Sequence, residues 1–334
     1  NWFEKICPYI YKFINNELYE YIELSRVIDK KLKEEKIKAV LATNLGADDY
    51  ARCIAYRAFK NDIPVILHHH GAFGFHHELS YFYQEIRYCS HYLVYGQGCK
   101  EYIKKLNNNI DVRVVGSPGL EIDRQSMPDK NKLYSYYKLD INKPIVVYTT
   151  VPPLGKNRIL GMNGENEFRH YEIQNKIVDT LMLSKNNQII IKGHISETLE
   201  NSPLLRKIHD MNYPNLIYDK DIPFKDLLNI ADCFIMDMPS TTLLEALSTR
   251  KPIYSFNRCY EWEDEALGIL KNEIVIETSD LDSFCERIFN DMETGIAYKE
   301  RTMDSVFFEK YGDPYKDGNS NIRIKKEIMD IVYN

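Results

Sequence analysis

DCFIMDMPSTTLLEALSTRKPI, residues Asp232–Ile253, is the stretch that decides the fold. Cys233 to Met236 is a short apolar run with strand length. Asp237, Met238 and Pro239 end it. Ser240, Thr241 and Thr242 have hydroxyls suited to capping a helix, predicted over 241–248. Lys251, Pro252 and Ile253 then open a second strand. Strand, turn, helix and strand in this order describe one crossover unit of a parallel sheet wrapped by helices. The start of such a helix offers N–H groups and a positive dipole end, a ready anion site. Glu245 lies one turn on, where a carboxylate can accept hydrogen bonds from hydroxyls. A capped helix alone is ordinary in an α/β protein; its neighbours give it weight.

The same alternation extends both ways. Upstream, strands are predicted at 38–42, 63–68, 92–95, 112–115, 145–149, 188–192 and 215–218. Helices are predicted over the first ~35 residues, from Asp48 to Phe59, over 77–87, 97–106, 167–183 and 224–230. Downstream come strands at 253–256 and 274–276 and helices at 280–290 and 322–332. The expected fold is α/β, with two Rossmann-like domains facing across a cleft. The expected domains are 1–125, on the acceptor side, and 140–310, on the nucleotide-donor side. A closing segment, 311–334, is expected to carry a helix that packs back on the first domain. The first half holds few strands and the chain begins at Asn1 rather than Met, so this domain is expected to be incomplete.

Composition narrows the function. The chain has 334 residues, 44% of them hydrophobic and 28% charged, which excludes disorder of the whole chain. A net charge of -6 argues against a general nucleic-acid binder. No apolar run approaches the ~18 residues of a membrane span. The seven cysteines are scattered with no CxxC pair, which points to a reducing, cytoplasmic compartment. The 25 tyrosines are read as packing residues.

Two further clusters carry chemistry. HHHGAFG, residues 68–74, lies at the carboxyl end of a predicted strand, where open α/β sheets gather ligands. His70 could take a proton from a hydroxyl there, and Gly71 allows a tight turn. Strand alternation lets only His68 and His70 converge, and no carboxylate at fixed spacing supports a metal, so none is expected. His68 and His69 are read first as packing residues. QIIIKGH, residues 188–194, delivers Lys192 and His194 into a loop at another strand end, a pairing suited to a phosphate.

Taken together, Lys-x-His, then Ser240-Thr241-Thr242-x-x-Glu245, then Lys251-Pro252 resembles the nucleotide half of GT-B glycosyltransferases. Within that class the resemblance is to bacterial surface-polysaccharide transferases: CDP-glycerol glycerophosphotransferases, capsule Kdo transferases and bacterial sialyltransferases, with their HP and SS motifs. His69-His70-Gly71 resembles their QHG strand end, and Asp317-Gly318 to Arg323-Ile324 their closing DGxxxxRI segment. The proline of the HP motif is Ile195 here. The resemblance implies that His194 contacts the donor phosphate and that Lys192, Ser240, Thr241 and Thr242 bind phosphates. It implies that Glu245 reads the ribose and that His70 acts as base or orients the acceptor. Lys156 and Arg158, after the first strand of the second half, face the diphosphate in this reading. Gly71, Glu78 and Asp48 fall on the acceptor side.

The expected activity is therefore metal-independent, cofactor-free transfer of a sugar from a CMP-, CDP- or UDP-linked donor. The acceptor is a saccharide or a lipid-linked molecule of bacterial surface-polysaccharide synthesis. The expected location is cytoplasmic, with peripheral membrane association or membership of a larger multi-domain synthase. The alternatives are a polyol-phosphate transferase using CDP-glycerol or CDP-ribitol, and an isomerase or hydrolase like the UDP-GlcNAc 2-epimerases.

Overall fold

The structure is a computed structural model that describes residues 2–45, 49–71, 76–77, 86–121, 129–151, 167–211, 213–256 and 261–333. The chain divides into two compact units. One comprises Asn1–Gly74, Glu78–Pro118 and Asn319–Asn334; the other comprises Phe75–His77 and Gly119–Gly318.

The first unit holds β1 (Val40–Ala42), β2 (Val65–His68), β4 (His91–Val94) and β5 (Asp111–Val114), while β3 (His76–His77) belongs to the second. The four strands form a parallel sheet in the order β1-β2-β4-β5. Val65, Ile66 and Leu67 are fully buried, as strands covered on both faces require. The N-terminal helical run comprises Trp2–Lys12, one π turn at Phe13–Glu17, and Leu18–Glu34. Its far end is tied down by Arg57, which donates to Asp29 at 2.8 Å and holds that carboxyl below the usual range. The helix Ser320–Tyr333 lays Ile324, Ile328, Ile331 and Val332 against Ile66, Leu93 and Val115. The Arg323 guanidinium donates to the Val115 carbonyl at 2.9 Å. The Arg323-Ile324 end of the closing DGxxxxRI segment thus clasps this sheet.

The second unit carries β6 (Ile145–Thr149), β7 (Gln188–Lys192), β8 (Leu216–Asp219), β9 (Cys233–Met236), β10 (Ile253–Phe256), β11 (Glu261–Trp262) and β12 (Val275–Glu277). Six of them form a sheet in the order β12-β10-β9-β6-β7-β8, and every pairing is parallel. Counted from its own first strand this is 6-5-4-1-2-3, the doubly wound order of dinucleotide-binding folds. Ile189, Ile190 and Ile191 are all fully buried, each contributing roughly 1.5–3 kcal/mol of apolar burial. Val146, Tyr148, Ile177 and Leu181 build the core between β6 and the helix Glu167–Leu183.

Several local readings change. The helix expected over 77–87 is replaced at its start by β3, which pairs antiparallel with β11, and at its end by a 3-10 turn at Ile86–Tyr88. That pairing is what draws 75–77 into the second unit. The second unit also takes 119–125 and 311–318, so the division differs from the expected 1–125, 140–310 and 311–334. The structure adds the helices Pro203–Met211 and Asp264–Leu270. Both are short, and their apolar faces were too brief to register as a period.

Candidate active site at the carboxyl edge of the second sheet

In the doubly wound order the chain leaves β6 toward β7 on one side and returns to β9 on the other. Ligands collect at that switch point, outside the carboxyl ends of the strands. Thr149 is in register with both Lys192 and Met236, so the residues following β6, β7 and β9 share one edge. Neighbouring strands lie ~4.8 Å apart, which puts the ends of β7 and β9 ~10 Å apart across β6.

Two buried carboxylates grip the end of β6. Asp237, 4% exposed, follows β9. It accepts from the Val151 N–H at 3.0 Å, the Gln174 amide at 2.7 Å and the Tyr148 hydroxyl at 3.2 Å. His170 Nε2 lies 3.7 Å away. Burial pushes the Asp237 carboxyl up, while His170 and these donors pull it back. Glu197, 1% exposed, sits in the loop after β7. It accepts from the Thr150 hydroxyl at 3.0 Å, the His194 N–H at 2.9 Å and the Ser202 hydroxyl at 2.9 Å. Asp237, Gln174 and His170 carry no local signature of acting together, since they meet only through the sheet order. Glu197, three residues after His194, is legible in the sequence only as an i, i+3 turn partner.

The loop after β7 is held from several sides. The Lys192 ammonium donates to the carbonyls of Gly193 at 2.8 Å and Lys220 at 2.7 Å. Two of its three N–H donors thus fasten the loop. Burial lowers its pKa. Tyr218 lies across Gly193, where an added Cβ would come within 2.0 Å of the phenol oxygen. His194 is exposed beyond this base, with Nδ1 2.7 Å from the Ser196 hydroxyl and 3.2 Å from the Ser196 N–H.

After β9, the helix Thr241–Leu247 starts at Ser240, but no side-chain cap forms. The Ser240 and Thr242 hydroxyls face each other at 3.2 Å instead. The expected hydroxyl cap is therefore corrected: with φ -135° and ψ -149°, Ser240 turns its side chain toward Thr242 rather than onto the first-turn amides. Glu245 stands out. Burial raises its carboxyl to about 7, with only the Lys225 charge opposing, and among the described residues nothing donates a hydrogen bond to it. Lys251 lies elsewhere: its ammonium bonds the Ala231 carbonyl, at the amino edge of the sheet. The Lys-Pro-Ile motif therefore fixes strand ends and does not reach this site.

In the first unit, His70 follows β2 with its Nε2 3.1 Å from the Asn44 amide nitrogen. Burial lowers its pKa and the Thr43 backbone raises it, in that order of size. Gly71 has φ +139°, a conformation that glycine adopts without strain. His69 is fully buried and packs on Tyr95 at 4.5 Å and edge-on to Tyr92 at 5.9 Å. His68 lies 5.9 Å from Tyr95. Both rings do pack the strand end. Asp48, Glu78, Lys156 and Arg158 lie outside the described residues. Among the described residues no group of three or more His, Cys, Asp or Glu is placed to hold a metal ion, and no helix is long and apolar enough to cross a membrane.

A family model described as LIC12162 family transferase matches residues 2–267. No curated protein matches the chain in sequence. Among solved structures, Methanocaldococcus jannaschii UDP-GlcNAc 2-epimerase in complex with UDP-GlcNAc and UDP matches 92% of this chain and 80% of its own, with TM-score 0.62 and 15% identity. S. aureus MnaA with UDP matches 96% and 84%, with TM-score 0.60 and 13% identity. Anabaena Alr3699/HepE in complex with UDP and glucose matches 92% and 80%, with TM-score 0.56 and 12% identity. At such identities the likeness is one of fold: α/β with two parallel sheets, GT-B-like.

Proposed function

This chain belongs to the LIC12162 family of transferases, and from that premise we propose that it transfers a sugar from a nucleotide-activated donor to a saccharide or lipid-linked acceptor in bacterial surface-polysaccharide synthesis. The observation that carries the reading is Glu245: a half-buried carboxyl to which, among the described residues, nothing donates a hydrogen bond, in the helix that follows β9 at the edge where a doubly wound sheet gathers its ligand. An acceptor partly withdrawn from water gains from a ligand that supplies donors. The two hydroxyls of a ribose supply a matching pair. The fold's likeness to proteins solved with UDP supports a nucleotide as that ligand.

The chemistry follows from charge. As the bond between sugar and phosphate breaks, the leaving nucleotide gains negative charge. Preoriented donors such as His194, with the Ser240 and Thr242 hydroxyls, stabilise that charge without a metal or a cofactor. His70, kept largely neutral by burial, is the proposed group that takes or orients the acceptor proton. Lys156 and Arg158 remain proposed diphosphate ligands, and Asp48, Gly71 and Glu78 proposed acceptor-side residues. A cytoplasmic enzyme working at the membrane face on a lipid-linked acceptor, alone or within a larger synthase, fits this reading.

A second reading, an epimerase or hydrolase, is favoured by the UDP-GlcNAc 2-epimerases among the structures of like fold. A polyol-phosphate transferase would instead cleave at phosphorus and release CMP. Calorimetry with UDP, CDP and CMP, followed by product analysis with the nucleotide sugar that binds, separates the three. Binding of a nucleotide with acceptor-dependent release supports the transferase. UDP and free sugar without acceptor would favour the hydrolase. Failure of all three nucleotides to bind would end the nucleotide reading.

A further inference from the structure

The loop after β7 determines which nitrogen of His194 carries the proton. A backbone N–H can only donate, and the Ser196 N–H points at His194 Nδ1 from 3.2 Å. The Ser196 hydroxyl, 2.7 Å from the same nitrogen, can donate as well. Nδ1 is therefore an acceptor, and in the neutral ring the proton must sit on Nε2. The turn that brings Ser196 under the ring is closed by a reciprocal pair. His194 N–H donates to Glu197 Oε1 at 2.9 Å, and Glu197 N–H donates to the His194 carbonyl at 2.9 Å.

Glu197 is in turn fixed from outside the loop. Thr150 and Ser202 donate to its two oxygens, and the Lys220 ammonium bonds its backbone carbonyl at 3.0 Å. Lys192 and Lys220 bind carbonyls here, not the carboxylate, so Oε1 stays available to the His194 N–H.

We propose that Glu197 and Ser196 are positioning residues that hold the neutral His194 ring in its Nε2–H form, so that it presents a hydrogen-bond donor to an anionic oxygen rather than a base. The role toward a nucleotide phosphate rests on the transferase reading above; the tautomer does not. The proposal goes beyond the Lys-x-His pattern, because it assigns the direction of the hydrogen bond and names what sets it.

Nitrogen-15 NMR of the histidine-labelled free protein tests the tautomer, with the His194 signals identified by their loss in His194→Gln. The expected result is a protonated Nε2 and an unprotonated, hydrogen-bonded Nδ1. A proton on Nδ1, or an even mixture, overturns the proposal. Glu197→Gln keeps the Oε1 acceptor and is expected to keep the tautomer; Glu197→Ala is expected to give a mixture.

A second pair of variants stays informative if Glu197→Ala does not fold. The amide nitrogen of Gln reaches the place of Nε2, and that of Asn the place of Nδ1. His194→Asn should bind UDP roughly tenfold or more weakly than His194→Gln, the range for losing a hydrogen bond to a charged group. Equal losses in both would overturn the donor role. If no nucleotide binds while NMR shows Nε2–H, the transferase reading falls and the tautomer assignment stands.

Discussion

Glu245→Gln should make the protein more stable and a poorer nucleotide binder at once. Burial raises the Glu245 carboxyl from 4.5 to about 7. Each tenfold change in an ionisation constant is about 1.4 kcal/mol, so ionising this group costs the folded state roughly 3 kcal/mol more than the unfolded chain. The sign follows from proton binding. Between about pH 4.5 and 7 the folded state holds a proton that the unfolded state has released, so stability falls as pH rises through that window. Glutamine has no such ionisation. The variant should gain about 3 kcal/mol at pH 8 but only about half of that at pH 5.5, from the same linkage. At pH 8 this corresponds to a rise in melting temperature of roughly 6–12 °C for a unit of this size. Urea unfolding of both proteins at the two pH values measures it, and calorimetry with UDP should show weaker binding in the variant. A gain equal at both pH values, or absent, would mean that the carboxyl is not strained by ionisation and would remove the main support for its ligand role.

Other perturbations follow from the same geometry. Gly193→Ala places a Cβ within 2.0 Å of the Tyr218 oxygen, so it should lose about 1–3 kcal/mol, and adding Tyr218→Ala should recover part of that loss. Additive losses in this double-mutant cycle would show that the two residues do not meet. Asp237→Ala strands the Val151, Gln174 and Tyr148 donors and should cost about 3 kcal/mol or more in urea unfolding. Arg323→Ala removes the bond to the Val115 carbonyl and should speed amide exchange across Ser320–Tyr333; unchanged exchange there would show that apolar packing alone holds the helix.

The strands were legible in the sequence because a parallel sheet buried on both faces leaves an uninterrupted apolar signature, as Ile189–Ile191 shows. What the strand ends bind was less legible, because strand order is not a local property. Val151 and Asp237 lie 86 residues apart, and Thr150 and Glu197 lie 47 apart. They meet only because β9 and β7 close on β6 from opposite sides. Residue type is ambiguous for the same reason: Lys192 reads as a cation for a phosphate, yet its ammonium donates to two backbone carbonyls. The arrangement has an electrostatic consequence. Two buried carboxylates stand at strand level beneath a proposed anion site, where bare negative charge would repel a diphosphate. Asp237 and Glu197 each accept three hydrogen bonds, so their charge is met locally, and the donors they order, His194 above all, are left to face the ligand. Among the described residues no such donors reach the Glu245 carboxyl, which is why its ionisation, and not theirs, is expected to report on the ligand.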